Sequence, residues 1–308
     1  MKELLVEKYR PKKFEDWVGN NKDVEILKDM VRKEKNIPHL LLVGSPGTGK
    51  TSLAYIIKNE LDAEMMEINA SDDRGIDVIR GKVKFFVKTG GVKFKILLLD
   101  EADMLTEESQ HALRRMMEKY SQSCRFILTA NYENKIIDAI KSRVKVIRLE
   151  RLTKENIKTI LKRVIDGEGI LIDSNVIDRL AELANGDARK AINILESGLV
   201  DKKFDSSTLE KVGDVGKMLN FLLEGRFEDS LRELDLILQT TNEREVINLI
   251  FNSLLLNTPQ INNKIKYVVG VKLAEYEDRL TRSAYPYIQL YSLLVELMYL
   301  FRKGSEQK

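Results

Sequence analysis

The segment GSPGTGKT, from Gly44 to Thr51, constrains the fold of this chain more than any other stretch. It fits the pattern G-x-x-x-x-G-K-[ST], and it lies between the apolar run HLLLV and the helical pattern SLAYIIKNEL. A glycine-rich loop in this place lets backbone N–H groups surround phosphates, and the helix dipole adds to the attraction. A turn without a ligand is the alternative, and the flanking strand and helix disfavour it. The segment predicts a strand, a phosphate-binding loop and a helix in succession.

The residues of this loop are predicted to bind nucleotide as one continuous segment. Lys50 is expected to reach the β and γ phosphates, and Thr51 to hold Mg²⁺. The helix that begins here points its N-terminus at the phosphates. The predicted cofactor-binding residues of the loop are Gly44, Ser45, Pro46, Gly47, Thr48, Gly49, Lys50, Thr51 and Ser52.

Short apolar runs recur over the first 150 residues, and longer helical patterns separate them. Apolar runs that do not alternate with polar residues are typical of a parallel sheet covered by helices on both faces. We therefore predict an α/β domain over residues 1–151. The runs are HLLLVG (39–44), MMEIN (65–69), KILLLDEAD (95–103), RFILTAN (125–131) and KVIRL (145–149).

The run ILLLDEAD supplies the second half of a hydrolytic site. Asp100 follows four apolar residues at the carboxyl end of a strand, where its carboxylate can hold the metal. Glu101 can orient and deprotonate the attacking water. The alternative, in which these acids cap the following helix, applies best to Asp103. Asn131, at the tip of another strand, is predicted to position the same water or contact the γ-phosphate, although asparagine is also common in turns at strand ends.

After Leu152 the strand pattern ends and helical patterns replace it. Thr153 is an N-cap signal, and DSNVIDRLAELANG runs from an aspartate cap to a glycine stop. We predict a small helical domain over residues 152–203 and an all-helical domain over residues 204–308. The last pattern, YIQLYSLLVELMYLF, is unusually apolar, so it forms either the core of its own domain or part of a subunit contact.

Composition excludes several classes of protein. The 51 lysines and arginines nearly balance 48 aspartates and glutamates, so the net charge of +3 does not indicate a nucleic-acid binder. A single cysteine, Cys124, excludes an intramolecular disulfide and a cysteine zinc site. No stretch approaches the roughly 18 apolar residues of a membrane span. We expect an intracellular protein without a membrane partner.

Charge is concentrated locally in IRGKVKFFVKTGGVKFK, residues 79–95, which has six cations and no acid. In a helix, Arg80, Lys84 and Lys88 lie on one face, and this spacing suits a phosphate backbone. A solvated face is the alternative, and the lack of any acid between residues 78 and 99 favours DNA binding by these three cations. The other cations are Lys82, Lys93 and Lys95, and the predicted core face consists of Ile76, Ile79, Val83 and Phe86.

The ordered motifs resemble the small subunits of replication factor C, the AAA+ clamp-loader ATPases of archaea and eukaryotes. The resemblance implies a P-loop AAA+ domain (1–151), a helical lid (152–203) and a helical oligomerisation collar (204–308). It also implies an ATP-dependent subunit that helps to open a sliding clamp and load it on primer-template DNA. The motifs are VEKYRPKKFEDWVG, PHLLLVGSPGTGKT, EINASDDRGIDVIR, ILLLDEAD, QHALRRMMEKY, RFILTANY, IKSRVKVIRL and GDARKAINILES.

The resemblance assigns further roles to single residues. Asn131 becomes a sensor of the phosphate, and Arg189 a second sensor, although spacing alone makes Arg189 a solvated helix residue. Arg143 is implied to reach the ATP site of a neighbouring subunit. The family usually has cysteine where this chain has Val144, but the arginine carries the chemistry. The implied adenine pocket consists of Val6, Tyr9, Arg10, Val18 and Gly19, and the catalytic set of Lys50, Asp100, Glu101, Asn131 and, in trans, Arg143.

The implied partners are sister subunits in a pentamer, a ring-shaped sliding clamp and primer-template DNA, with ATP and Mg²⁺ as cofactors. The location is the nucleus in a eukaryote and the cytoplasm in an archaeon. Two alternatives stay open. One is a AAA+ protein remodeller with an aromatic pore loop near Phe85 to Gly91, although helical spacing assigns Phe86 to the core. The other is a non-catalytic scaffold subunit, which the intact catalytic set disfavours.

Overall fold

A five-stranded sheet, in which all paired strands run parallel, forms the centre of the first part of the chain. The computed structural model describes the chain except residues 1–2, 20, 35, 72–75, 89–93, 240, 257–262 and 306–308. Each predicted apolar run forms a strand. The strands are β1 (Leu40–Gly44), β2 (Glu64–Asn69), β3 (Lys95–Asp100), β4 (Arg125–Ala130) and β5 (Lys145–Leu149), in the spatial order β2-β3-β4-β1-β5.

Both faces of this sheet are buried, as the apolar runs predicted. Successive residues of a strand point to opposite faces. Accordingly, Leu41 belongs to one core cluster and Leu40 and Leu42 to another. One cluster also contains Val83 and the other contains Ile56, from helices on opposite faces. The helices of this part are α1 (Leu5–Lys8), α2 (Lys22–Asp29), α3 (Lys50–Glu60), α4 (Ile76–Lys88), α5 (Glu107–Lys119) and α6 (Asp138–Lys141).

Three helices follow the sheet: α7 (Lys154–Glu168), α8 (Ser174–Ala184) and α9 (Ala188–Ser197). Thr153 caps α7 as predicted, and its hydroxyl accepts the Asn156 N–H at 3.2 Å. The predicted glycine stop of α8 is displaced by one residue, because Asn185 itself is left-handed, with φ 46°, and Gly186 follows it.

Strand structure does not end at Leu152, and that prediction is wrong. A small antiparallel hairpin pairs β6 (Leu199–Val200) with β7 (Lys203–Phe204). Two residues are too few to show an alternating pattern, so the sequence carried no signal for these strands.

Residues 1–204 form one compact unit, and residues 205–308 form a second one. This unit has its own core, with Leu219, Leu234, Ile250 and Leu293 all nearly inaccessible to solvent. The further division at residue 151 stays a prediction. The helices of the second unit are α10 (Val215–Leu223), α11 (Phe227–Leu238), α12 (Glu243–Leu256), α13 (Asn263–Arg282) and α14 (Pro286–Ser305).

Helix α14, which contains the apolar pattern noted in the sequence, has both buried and exposed apolar side chains. Leu290 and Leu297 are buried in the second core, whereas Ile288 and Tyr299 are more than half exposed. The described helices include none with the length and hydropathy of a membrane span.

Candidate active site

The phosphate-binding loop connects β1 to α3 at the carboxyl edge of the sheet. Gly47 and Gly49 have φ angles of 71° and 95°, in the left-handed region that glycine adopts without strain. A Cβ atom at position 47 would lie 1.8 Å from the Asp187 carboxylate, and one at position 49 would lie 2.9 Å from the Trp17 ring. Both conformation and space therefore require glycine at these two positions.

Lys50 is held inside the loop by three oxygen atoms. Its ammonium donates to the carbonyl oxygens of Gly44 at 2.7 Å and Ser45 at 2.9 Å, and to Asn131 Oδ1 at 2.8 Å. An ammonium has three N–H donors, so these contacts use all of them. The predicted phosphate ligand and the predicted sensor thus contact each other directly, and a bound triphosphate would compete with these oxygens.

The pKa of Lys50 is lowered mainly by the burial of its side chain. Burial lowers the pKa of Lys50 to about 8, while the carboxylates of Asp100 and Asp103 act in the opposite direction. The guanidinium of Arg189 adds to the lowering of this pKa. Arg189 therefore lies near the P-loop and lines the cleft, whereas spacing alone made it an ordinary solvated residue.

Thr51, Asp100 and Thr129 form a compact polar chain at the ends of β3 and β4. The Thr51 hydroxyl donates to Asp100 Oδ1 at 3.1 Å, and the Thr129 hydroxyl donates to the same oxygen. Thr129 Oγ1 also accepts the Glu101 N–H at 3.0 Å. A hydroxyl beside a carboxylate is a donor set that fits Mg²⁺. Sequence reasoning missed Thr129, although it lies in β4 only two residues before Asn131.

Glu101 has an unusual backbone conformation. Its φ of 56° is left-handed, which residues with a side chain rarely adopt and which costs of order 1–3 kcal/mol. Such strain is concentrated at functional sites, and Glu101 lines the same cleft as the P-loop. The geometry therefore supports a functional role for Glu101 beside the polar chain.

Asp103 supports the loop that carries Asn131. Its side chain is only 6% exposed, and its Oδ2 accepts the N–H groups of Asn131 at 3.3 Å and Tyr132 at 3.2 Å. Its Oδ1 is buried without a hydrogen-bond partner among the described residues. The alternative in which Asp103 caps the next helix is wrong, because Thr106 caps α5 by accepting the Ser109 N–H at 3.2 Å.

The opposite wall of the cleft is formed by the N-terminal arm and α7. The Tyr9 hydroxyl donates to Glu168 at 2.9 Å, and Arg163 donates to the Asp16 carbonyl at 2.7 Å. Trp17, the one tryptophan of the chain, lies beside the P-loop. The sequence predicted only the N-terminal arm as part of this wall. Over the whole cleft, the lining residues that were not predicted are Pro11, Asp16, Trp17, Thr129, Leu152, Ile160, Arg163, Ala188 and Ile192.

Most predicted site residues meet in this one cleft. Gly44 and Ser45 instead contribute carbonyl oxygens to Lys50, and Gly19, with φ 127°, packs near Leu152 outside the lining. The predicted residues that line the cleft are Val6, Tyr9, Arg10, Val18, Pro46, Gly47, Thr48, Gly49, Lys50, Thr51, Ser52, Asp100, Glu101, Asn131 and Arg189.

Known proteins resemble this chain over most of its length. Residues 40–152 match the family described as ATPase family associated with various cellular activities (AAA). The Replication factor C small subunit of Staphylothermus marinus is 39% identical, over 97% of this chain and 96% of its own length. That of Archaeoglobus fulgidus is 38% identical, over 98% and 99%. This chain belongs to the replication factor C small-subunit family. It carries a AAA ATPase domain that binds nucleotide.

Solved structures support the same fold. A RuvB structure from Thermotoga maritima, described as a Holliday junction branch migration motor, aligns with a TM-score of 0.57. The alignment covers 70% of this chain and 80% of that one at 20% sequence identity. At this identity the likeness shows the AAA+ fold alone.

The resemblance to replication factor C small subunits implied that Arg143 reaches the ATP site of a neighbouring subunit. Arg143 does not line the cleft of its own chain. Its guanidinium contacts Glu118 Oε1 at 2.6 Å, the Ala139 carbonyl at 2.8 Å and the Ser142 hydroxyl at 2.9 Å. Glu118 also pairs with Arg114 at 3.1 Å, and these two arginines lower the pKa of the Glu118 carboxyl. Arg143 is therefore oriented by its own chain while it stays partly exposed.

The three predicted DNA-binding cations of this chain lie on α4. Arg80, Lys84 and Lys88 are exposed, while Val83 and Phe86 are buried in the core below. The helical periodicity thus separates the two faces as the sequence predicted. The side chains of Ile76 and Ile79, and the whole of Lys93, lie outside the described residues.

Lys95 is not part of the exposed set. It is buried, its ammonium donates to the Phe86 carbonyl at 2.7 Å, and it lies 5.2 Å from the centroid of the Phe86 ring. One of the six clustered cations therefore stabilises the C-terminal end of α4 instead of facing a partner.

Proposed function

We propose that this chain is one subunit of an ATP-dependent clamp loader, which opens a ring-shaped sliding clamp and places it on primer-template DNA. The observation that carries the proposal is that the P-loop, the polar chain and the sensor Asn131 all line one cleft. The chain is also related over nearly its whole length to Replication factor C small subunits. The archaeal relatives favour a cytoplasmic location.

The residues of the cleft divide the work of ATP hydrolysis. Thr51 and Asp100 would hold Mg²⁺, which when bound balances charge on the phosphate oxygens. Lys50 exchanges its contacts with the loop carbonyls for phosphate oxygens, and Asn131 stays within its reach. Glu101 accepts the proton of the attacking water.

Arg143 is proposed to complete the site of a neighbouring subunit. Its position outside its own cleft supports this role, and its contact with Glu118 holds the guanidinium in one orientation. An arginine supplied in trans is worth about 10³ to 10⁵ in rate, so assembly becomes part of catalysis.

The helical unit 205–308 is proposed to be the oligomerisation collar of a pentamer. Several large apolar side chains of α13, α14 and their connection are exposed, which a solitary helical bundle would not require. A self-contained bundle is the alternative, and its core is complete. The exposed residues include Tyr267, Val271, Tyr285, Ile288, Tyr291 and Tyr299.

DNA is proposed to bind at Arg80, Lys84 and Lys88. These side chains share the exposed side of α4, and the sequence places no acid between them. Phosphate contacts of this kind are independent of base sequence and release counterions.

ATP turnover by the assembled complex, with and without sliding clamp and primed DNA, tests this function. We expect turnover to rise when both are added. Stimulation by unfolded polypeptide in their place would support a protein remodeller, and binding of ATP without any turnover would support a scaffold subunit. Either result would overturn the proposal.

A further inference from the structure

A buried carboxylate ties the turn that follows β3 to the turn that follows β4. Asp103 lies in the short 3₁₀ turn Ala102–Met104, which begins directly after Glu101. Its Oδ2 accepts the N–H groups of Asn131 at 3.3 Å and Tyr132 at 3.2 Å. Asp103 is 6% exposed, and its Oδ1 has no hydrogen-bond partner among the described residues. Within the described part of the chain, its side chain therefore bonds to the turn after β4 alone.

This contact fixes the main chain of Asn131 and so limits where its side chain points. Lys50 donates to Asn131 Oδ1 at 2.8 Å. An ammonium group only donates, so the atom that it contacts has to be the amide oxygen. The amide NH₂ group is then left to donate to a ligand in the cleft, which Asn131 lines. A phosphate oxygen is an acceptor of the kind that this group requires.

The same carboxylate relates Asn131 to Glu101, the proposed base. The Met104 N–H donates to the Glu101 carbonyl at 2.8 Å, so the turn that carries Asp103 closes on Glu101. A second link runs beside this one, because Thr129 Oγ1 accepts the Glu101 N–H at 3.0 Å. Two hydrogen-bonded links thus join the end of β3 to the end of β4, and one of them ends on the sensor.

We propose that Asp103 is a positioning residue for ATP hydrolysis, which holds the sensor Asn131 in place relative to Glu101 and the phosphates. Asp103 does not line the cleft, so it acts through Asn131 and not by contact with ATP. When a triphosphate draws the Lys50 ammonium away from Asn131, the contact with Asp103 still holds the main chain of the sensor. This inference rests on the proposed role of Asn131 and names the residue that sets its position.

ATP turnover and ATP affinity of the assembled complex carrying Asp103→Ala test this role. A misplaced group can cost about 10² in rate, so we expect turnover to fall roughly 10-fold to 100-fold. ATP affinity should stay close to that of wild type, because the P-loop is unchanged. Asp103→Asn keeps an acceptor oxygen for both N–H groups and should recover most of the turnover. If the alanine variant does not fold, Asp103→Leu removes the acceptor while it fills the space.

A double-mutant cycle shows whether Asp103 acts through Asn131. Once Asn131→Ala has removed the sensor, its position no longer matters, so adding Asp103→Ala should lower turnover by less than about twofold more. Gln110→Ala is the matched control. Gln110 is 3% exposed and holds the same loop further along, since it donates to the Lys135 carbonyl and accepts the Ile137 N–H, both at 2.9 Å. This variant should lower the melting temperature and leave turnover near that of wild type.

The cycle separates this inference from the proposal beneath it. If Asn131→Ala lowered turnover and Asp103→Ala did not, or lowered it equally with and without Asn131, the sensor would stand and the positioning role would be wrong. If Gln110→Ala lost as much turnover as Asp103→Ala, the contact would be general support of the fold. If Asn131→Ala itself kept wild-type turnover, the proposed sensor role would fail, and this inference with it.

Discussion

Lys50 shows how a single buried charge is balanced in the P-loop. Its pKa lies at about 8 because burial outweighs the neighbouring carboxylates. As pH rises above 8, the neutral amine becomes the main form in the protein without nucleotide. A triphosphate favours the ammonium and raises its pKa again, so ATP binding takes up protons in this pH range.

Proton uptake on ATP binding should therefore increase between pH 7 and pH 9. Calorimetry of the binding step in buffers of different ionisation enthalpy measures it directly. The measurement at pH 7, where Lys50 is already charged, serves as the internal control. Equal uptake at the two pH values would mean that Lys50 stays charged or does not meet the phosphates.

Glu101 should separate binding from hydrolysis. Glu101→Gln keeps the shape of the side chain but cannot accept the proton of water, so turnover should fall by roughly 10² or more while ATP still binds. Filter binding and phosphate release on the same assembled preparation test both halves. Loss of binding together with turnover would show that the residue is structural.

At the scale of elements, the P-loop contacts the beginning of α9. The Ala188 N–H donates to the Gly47 carbonyl at 3.2 Å, and Asp187 caps α9 by accepting the Lys190 N–H at 2.9 Å. A side chain at position 47 would collide with this cap and would need a strained φ. The loop and the helix that carries Arg189 therefore depend on each other.

Gly47→Ala should weaken ATP binding because it displaces the start of α9. Adding Asp187→Ala should recover part of the loss by removing the collision, although the φ strain stays. Wild-type ATP affinity for Gly47→Ala would contradict the contact between the loop and α9.

The contrasting glycine is Gly270, inside α13, where a Cβ atom would meet nothing in the described structure. Changing Gly270 to alanine should stabilise the protein by about 0.5–1 kcal/mol, as measured by urea unfolding.

The sequence predicted those elements whose signal is local. The five strands are continuous apolar runs, and α4 separates Val83 and Phe86 from its cations by periodicity alone. The role of Asp103 could not be predicted, because its hydrogen-bond partner Asn131 lies 28 residues further along the chain. The same holds for Arg143 and Glu118, which are 25 residues apart. Contacts of this kind depend on the strand order, which local patterns do not encode.

At the scale of the whole molecule, residues 1–204 and 205–308 each have a core of their own. Nucleotide chemistry belongs to the first unit, and the exposed apolar side chains of α14 belong to the second. We therefore expect assembly and ATP binding to be separable by mutation.

Ile288→Asp combined with Tyr299→Asp should dissociate the complex, because each change places a charge on an apolar contact surface. ATP binding by the released subunits should persist. Leu171→Asp, at an equally exposed apolar position in the first unit, is the control and should leave assembly intact. Analytical ultracentrifugation reports the outcome, and an unchanged assembly would assign the contacts to another surface.

The central claim is that each ATP site is completed by the neighbouring subunit, and Arg143→Ala tests it most directly. ATP binding and turnover are measured on the same assembled complex. The account predicts nearly unchanged binding and a fall in turnover of about 10³-fold or more, since the missing guanidinium acts only next door. Wild-type turnover in the variant complex, or full turnover by a monomeric preparation of the wild-type chain, would contradict the claim.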